Sequence, residues 1–71
     1  MKKYYVNKDL ILGTIYRVGK SVSEFVKELG CSRVNFYCAL NRIYTRPRSH
    51  IITRIANLLK LDEQLIWSEV E

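Results

Sequence analysis

Proline and glycine are scarce in this chain, with one proline and three glycines among 71 residues. So few turn-forming residues argue against a small β-barrel and against a flexible linker. The length leaves no room for a nucleotide-binding domain beside a substrate domain. Hydrophobic residues are 48% and charged residues 27% of the chain, the balance of a folded protein. We therefore expect one domain over residues 1–71, with a core of about residues 9–67 and short tails at 1–8 and 68–71.

Cysteines are also few, and Cys31 and Cys38 lie seven positions apart. Two turns of one helix would separate them too far for a disulfide. No apolar stretch approaches the roughly 20 residues of a transmembrane helix. Polar residues follow the basic start, where a signal peptide would be apolar. We expect a reduced cytoplasmic protein, associated with the nucleoid and not with a membrane.

The residue types needed for catalysis or metal binding do not cluster in the sequence. Cys31, Cys38 and His50 lack the paired spacing of a zinc site and an obvious fourth ligand. No carboxylate lies in residues 29–61 to assist Cys38 and His50 as a catalytic pair. The sequence therefore predicts no enzyme activity, no metal and no cofactor, and no small-molecule ligand is evident from it.

Positive charge is concentrated in the middle of the chain. The formal net charge is +5, and residues 29–61 contain six lysines and arginines without any acid. Residues 62–71 contain four acids and no base. This asymmetry indicates an anion-binding surface, although a solvated helix face collects charge as well.

Apolar residues recur at the three- and four-residue spacing of helices, with no alternating strand pattern. Capping residues and glycines divide the chain into five helices: one from Asn7 or Asp9 to about Val18, one from the Ser21 cap to Gly30, one from the Ser32 cap to about Asn41, one from the Ser49 cap to Leu59, and a short one after Asp62. The expected core residues are Ile11, Ile15, Val18, Val22, Phe25, Val26, Leu29, Phe36, Ala39, Leu40, Ile51, Ile52, Ile55, Ala56, Leu58, Leu59, Leu65, Ile66 and Trp67.

Two local patterns refine these helices. Ser21 and Glu24 have the spacing of a capping box at the start of the second helix. Gly13, inside the first helix, indicates either a weakened helix or the close approach of another one.

The second and third helices are short and are joined by a turn at Gly30, which predicts a helix-turn-helix. The third helix has Phe36, Ala39 and Leu40 on its apolar side. Its opposite side carries Val34, Tyr37, Cys38 and Asn41. Such a projecting helix can enter the major groove of DNA, which is about 12 Å wide.

Several segments of this helical pattern resemble one known family. Phe25-Val26, Gly30-Cys31-Ser32, Phe36, Arg46-Pro47-Arg48 and residues 55–62 are similar in order to the lambda-repressor-like (Cro/repressor, XRE-type) family. Ile55-Ala56, Leu61 and Leu65-Ile66-Trp67 are especially similar to Ner-like phage regulators. The resemblance covers about residues 9–67. It implies an all-α domain of five helices that binds DNA, commonly as a dimer, and represses transcription in phages or mobile elements.

The predicted DNA-contacting residues lie on the third helix, at the helix starts and in the loop after residue 41. They are Ser21, Ser23, Ser32, Arg33, Val34, Asn35, Tyr37, Cys38, Asn41, Arg42, Tyr44, Arg46 and Arg48. Arg42, Arg46 and Arg48 are expected to contact phosphates, because no acid is near them in the sequence.

Five of these residues have two possible roles each. Arg33 can hold a guanine by two hydrogen bonds or contact a phosphate. Val34 can meet a thymine methyl or pack on a loop, and Asn41 can read an adenine or cap its helix. Tyr37 can donate to a phosphate or stack on the loop, and Tyr44 can reach a sugar or cover the core.

The sequence thus predicts a sequence-specific regulator that binds double-stranded DNA, a repressor with residues 33–41 in the major groove. We expect a homodimer on DNA that pairs through residues 65–70, unless Trp67 seals the monomer core instead. The alternative is a protein-interaction module, such as an antirepressor or assembly factor, that binds a partner protein through the basic face. Steep salt dependence would favour DNA.

Overall fold

The computed structural model describes residues 2–70, which form five helices and one two-stranded antiparallel sheet. The elements in chain order are β1 (Lys3–Val6), α1 (Lys8–Arg17), α2 (Val22–Leu29), α3 (Arg33–Asn41), α4 (His50–Leu59), α5 (Glu63–Ile66) and β2 (Trp67–Val70). The five predicted helices are confirmed. The expectation of an all-α fold is wrong for the two ends of the chain, which pair as strands.

The helices begin and end where local capping chemistry predicts. The Asn7 side chain accepts a hydrogen bond from the Leu10 N–H at 3.2 Å. Ser21 and Glu24 make both bonds of the capping box, and Gly30 ends α2 with a positive φ of 81°. Ser49 precedes α4 as predicted but makes no side-chain capping bond. The caps at Asn7 and Ser21 satisfy backbone N–H groups that the helix itself leaves unpaired, and the Gly30 N–H bonds carbonyls at the end of α2.

The core lies where α1, α2, α3 and α4 meet. Its centre is a pair of rings, Phe25 and Phe36, in an edge-to-face contact with centroids 5.9 Å apart. The buried hydrophobic residues are Val6, Ile11, Ile15, Phe25, Val26, Leu29, Phe36, Ala39, Leu40, Tyr44, Ile52, Ile55, Ala56, Leu59 and Ile66. Most of the predicted core is therefore confirmed.

Three predicted core residues are exposed instead, namely Val18, Leu58 and Leu65. On α4 the buried stripe consists of positions 52, 55, 56 and 59, and Leu58 lies off this stripe. Val18 caps the end of α1, where the chain turns away from the core. In the single turn of α5 only Ile66 is buried. The spacing of apolar residues thus predicted a wider buried face on these helices than the one that packs against the core.

The sheet joins the two ends of the chain, with Lys3 opposite Val70 and Val6 opposite Trp67. The predicted tails are therefore wrong over most of their length. Trp67 begins β2 and does not extend the last helix. Met1 and Glu71, the outer ends of those tails, lie outside the described residues.

Tyr44 links this sheet to the loop between α3 and α4. Its backbone N–H donates to the Tyr4 carbonyl at 2.9 Å, and the Tyr4 N–H donates to the Tyr44 carbonyl at 2.8 Å. The Tyr44 hydroxyl donates to the Ala39 carbonyl at 2.8 Å. Its ring meets Trp67 edge to face, with centroids 5.0 Å apart. The first part of the basic loop is thus fixed to the sheet and to α3.

Replacing Gly13 by alanine should stabilise the protein. A Cβ placed at Gly13 has no atom within 4 Å, so the close approach of another helix is not the reason for this glycine. We expect Gly13→Ala to raise the free energy of unfolding by about 0.5–1 kcal/mol, because alanine restricts the unfolded chain and favours the helix. Urea denaturation measures the change. Gly30→Ala is the matched control and should lose about 1 kcal/mol, because its positive φ strains an L-residue. A loss at both positions would contradict the prediction.

Candidate nucleic-acid interface

One side of α3 faces the core and the other faces solvent. Ser32 caps the helix by accepting a hydrogen bond from the Asn35 N–H at 3.1 Å. Val34 is 70% exposed, and Cys38 and Asn41 are also exposed on the same side. Burial of Phe36 and its neighbours therefore turns the predicted reading face outward.

The end of α3 is held by its own last residue. The Asn41 side-chain amide donates to the Tyr37 carbonyl at 2.9 Å, which is the predicted capping role. The Asn41 side-chain oxygen accepts a hydrogen bond from Lys8 Nζ at 3.1 Å. Tyr37 is half-buried, and its ring meets Phe36 with centroids 5.4 Å apart. Lys8 was missed as a site candidate because it precedes Asn41 by 33 positions.

A cavity of about 420 Å³ opens along one flank of α3. Asn35, Cys38 and Arg42 line it from the helix, and Tyr44 lines it from the loop. The Arg42 guanidinium carbon lies 5.9 Å from the centre of the Tyr44 ring, within cation–π range. Tyr44 is only 9% exposed, so its ring covers the core, as one of its two predicted roles required.

The basic loop continues from Tyr44 to α4. Arg46 and Arg48 are exposed, and the Arg48 N–H donates to the Arg46 carbonyl at 2.8 Å in a tight turn around Pro47. The two arginines are thus carried on one short turn that projects into solvent.

Two of the predicted DNA-contacting residues, Ser21 and Ser23, lie away from α3 and the basic loop. Ser21 and Ser23 are at the start of α2, whereas α3 follows the end of α2 at Gly30. The eight residues of α2 span about 12 Å, so the serines and the start of α3 are separated by that length. Ser21 is already used as a cap, and its oxygen accepts from the Glu24 N–H at 3.1 Å.

Arg54 is a second basic residue that the sequence did not place at the site. It is exposed on α4, and its Nη2 atom lies 3.9 Å from the position that a Gly30 Cβ would take. A cation therefore stands beside the turn between α2 and α3. Only the packing of α4 against α2 brings Arg54 to this turn.

The basic residues of this region have no acidic partners in the described chain. Residues 2–70 contain two ion pairs, Lys2 with Glu69 at 3.0 Å and Lys20 with Glu28 at 2.5 Å. Neither pair involves a residue between 29 and 61. The exposed cations there are Arg33, Arg42, Arg46, Arg48, Arg54 and Lys60. Their charges are not neutralised locally, so this segment of the chain carries a net positive charge that attracts anions.

Within residues 2–70 no group of three or more His, Cys, Asp and Glu residues is arranged to hold a metal ion. No helix in that range has the length and apolarity needed to cross a membrane. Cys31 and Cys38 are free thiols.

Comparison of the chain with protein-family models, curated proteins and solved structures found no match. The resemblance to lambda-repressor-like regulators therefore rests on the residues quoted for it.

Proposed function

We propose that this protein is a sequence-specific, double-stranded-DNA-binding repressor of transcription. In this proposal α2 and α3 act as a helix-turn-helix, and α3 enters the major groove. The observation that supports this proposal most strongly is the outward face of α3. There Val34 is 70% exposed beside arginines that have no acidic partner. An apolar side chain among unpaired cations suits a thymine methyl flanked by phosphates. A role in phages or mobile elements is implied by the family resemblance alone.

The dimensions of α3 support insertion into the groove. An α-helix is about 10–12 Å across with its side chains and fits the major groove, which is about 12 Å wide, and the nine residues of α3 extend about 13.5 Å along its axis. Arg33 and Val34 are its first two residues, and the start of a recognition helix is the part that meets base edges. The N-terminal end of the helix also carries a partial positive charge that favours DNA.

The remaining cations suit contacts to the DNA backbone. Arg46 and Arg48 project from the loop, Arg42 ends α3, and Arg54 stands beside the α2–α3 turn. Phosphate contacts position a protein on DNA, whereas base contacts specify the sequence. We therefore assign these four arginines to affinity and the start of α3 to specificity.

A protein-interaction module is the second candidate, because apolar exposure is also a feature of protein interfaces. Val34 is 70% and Ile43 is 52% exposed, on α3 and just after it. A partner protein would cover both side chains, and its binding would depend less steeply on salt than DNA binding does.

Selection of bound fragments from a random DNA pool tests the proposal directly. Repeated rounds with the whole chain should enrich one sequence, and that site should bind at least about a thousandfold more tightly than random DNA. Retention of all fragments alike would refute sequence-specific binding. No retention at any salt concentration would leave the protein-interaction module as the better candidate.

Arg33→Ala should remove specificity more than affinity. We expect a loss of about 1–3 kcal/mol on the selected site, with little change on random DNA, because a guanine contact is lost. Fluorescence anisotropy with both DNAs, at one salt concentration, measures the two losses. Equal losses on both DNAs would reassign Arg33 to a phosphate.

The homodimer in this proposal can form along the outer edge of β2. Tyr4 uses both its backbone N–H and its carbonyl to bond Tyr44, so these groups point away from β2. Glu69 stands opposite Tyr4, and by the alternation of an antiparallel ladder its N–H and carbonyl point away from β1. No further strand among residues 2–70 pairs with β2.

Two copies can therefore pair β2 with β2 around a two-fold axis at Glu69. The Lys2 ammonium lies 3.0 Å from the Glu69 carboxylate, and this hydrogen bond and charge raise the pKa of Lys2. In the dimer, the positive charge of Lys2 in each copy offsets the repulsion between the two Glu69 carboxylates, one from each copy. Two-fold pairing would read half-sites about 34 Å apart.

Glu69→Pro should weaken this dimer without breaking the sheet, because proline removes only the outward N–H. Loss of two hydrogen bonds at the axis should lower the dimerisation constant about tenfold or more. Sedimentation equilibrium measures it, with Glu69→Gln as the control that keeps the N–H. One protein copy per saturated operator, on a site without dyad symmetry, would contradict the dimer.

A further inference from the structure

We infer that the cavity between α3 and α4 is a binding site for a small aromatic carboxylate, and that this ligand and DNA exclude each other. The exclusion rests on the proposed function, whereas ligand binding does not depend on it. No small-molecule ligand was evident from the sequence, because Tyr44 and Ile51 join the residues of α3 around the cavity only through tertiary packing.

The cavity has the size and the walls of a small-molecule site. Its volume of about 420 Å³ lies in the range of pockets that hold small ligands, about 300–1,000 Å³. Cys31, Asn35, Cys38 and Arg42 form one wall. They follow one another at spacings of four, three and four, so they share one stripe along α3 and its start. Ile51 of α4 contributes from the other side.

The lining combines one cation with apolar surface and contains no acid. Arg42 supplies a guanidinium, which binds a carboxylate through two parallel hydrogen bonds. Its position 5.9 Å from the centre of the Tyr44 ring places this charge beside an aromatic wall. Ala39 and Ile51 add aliphatic surface for a flat ring, and the Asn35 amide can bond a further polar group. An aromatic ring that bears one carboxylate can bind the Arg42 guanidinium and cover the apolar lining at the same time.

The aromatic wall is held in place before any ligand arrives. The Tyr44 hydroxyl donates to the Ala39 carbonyl at 2.8 Å, and its ring meets Trp67 at 5.0 Å between centroids. Its backbone is bonded in both directions to Tyr4. A preformed wall spares the ligand the entropy of ordering it, which favours binding.

The cavity also adjoins the face of α3 that we propose for DNA. Asn35, Cys38 and Arg42 belong to both surfaces. A ligand in the cavity would neutralise Arg42 and place its own negative charge beside the DNA phosphates. The two ligands should therefore compete.

Titration of the ¹⁵N-labelled protein with 2-naphthoate, followed by NMR, tests the binding site. The shifts should centre on the amides of Cys31, Asn35, Cys38, Arg42 and Ile51. The neutral 2-naphthalenemethanol, acetate and inorganic phosphate should each bind more weakly, because they lack either the charge or the ring. Arg42→Gln should weaken 2-naphthoate binding about tenfold to a hundredfold. Arg17→Gln, which removes an exposed arginine of α1 outside the cavity, should not.

Asn35→Trp should also abolish binding by filling the cavity from an exposed helix position, where it should not disturb folding. The inference is overturned if the alcohol or phosphate binds as well as 2-naphthoate. It is also overturned if Arg42→Gln and Arg17→Gln behave alike, or if the shifts centre elsewhere.

Competition is tested separately, by DNA titration with and without 2-naphthoate at constant ionic strength set with acetate. The apparent Kd for DNA should rise linearly with the concentration of free 2-naphthoate, and it should double at the concentration that half-fills the cavity. Naphthoate binding with an unchanged DNA affinity would overturn the mutual exclusion. Failure of the protein to bind any DNA would refute the proposed function, while the NMR titration still decides the binding site.

Discussion

Between about 50 and 200 mM monovalent salt, the affinity of one copy of this protein for a DNA half-site should fall about a thousandfold, because cations released from roughly six phosphates give a slope of about −5. The slope refers to the logarithm of affinity against the logarithm of salt concentration. The expectation follows from the exposed basic residues between positions 29 and 61, none of which is in an ion pair in residues 2–70. Anisotropy titrations at several salt concentrations measure the slope.

The double variant Arg46→Ala/Arg48→Ala should weaken binding to selected and random DNA alike. Loss of two phosphate contacts should reduce the slope from about −5 to about −3.5. The matched control is Arg17→Ala/Lys20→Ala, which removes the same charge from residues outside the proposed DNA and dimer interfaces, with Lys20 already paired with Glu28. The control should leave the slope near its original value. An unchanged slope in the arginine variant would remove the loop from the interface.

Phe36→Ala should cost a large share of the stability of the domain, about 3–5 kcal/mol. The Phe36 side chain has no exposed surface, and its ring contacts Phe25 and Tyr37 at 5.9 and 5.4 Å between centroids. A domain of 71 residues has a total stability of about 4–11 kcal/mol, so this loss is a large share of it, and at the low end of the range much of the protein population would unfold at 25 °C. The cavity left by the ring loses contacts that neighbouring side chains cannot replace.

Urea denaturation followed by circular dichroism measures this loss. Phe36→Leu should lose clearly less than Phe36→Ala, because it keeps most of the apolar volume. Val34→Ala is the control on the opposite, exposed side of α3, and it should change stability by no more than about 0.5 kcal/mol. Similar losses for Phe36→Ala and Val34→Ala would mean that α3 does not pack as described.

Variants on the two sides of α3 should have different effects: those on the buried side should lower stability, and those on the exposed side should lower DNA binding. Phe36 acts through the core, whereas Arg33 and Val34 are exposed and lie outside the core cluster. A folded Arg33→Ala variant with normal denaturation and reduced specificity would therefore support the proposed reading face. Loss of binding by Phe36→Ala would carry no such information, because the helix itself would be lost.

The helices could be predicted because their ends depend on neighbouring residues. Asn7, Ser21 and Ser32 each accept a bond from a backbone N–H three residues later, and this requires only local geometry. The buried side of α3 follows equally from the spacing of its apolar residues. Its outward face was therefore predictable, including the exposure of Val34, Cys38 and Asn41.

The strands could not be predicted in the same way, because each of them needs a partner far along the chain. Val6 lies opposite Trp67, and a four-residue strand has no local signal strong enough to indicate that pairing. Trp67 looks like one more apolar residue of a last helix until Val6 and Tyr44 are placed beside it. Leu58 and Leu65 could not be predicted as exposed for a similar reason. Apolar spacing shows which residues can be buried, but only packing decides which of them are.

The amino-acid sequence by itself determined five helices, most of the core and a middle segment of six cations without an acid. These features depend on spacing, capping and composition, which are local. Only the tertiary structure decided three further contacts. Lys8 donates a hydrogen bond to Asn41, Arg54 lies beside Gly30, and Tyr44 lines a cavity together with Arg42. Each of these contacts joins residues whose distance depends on how helices and strands pack.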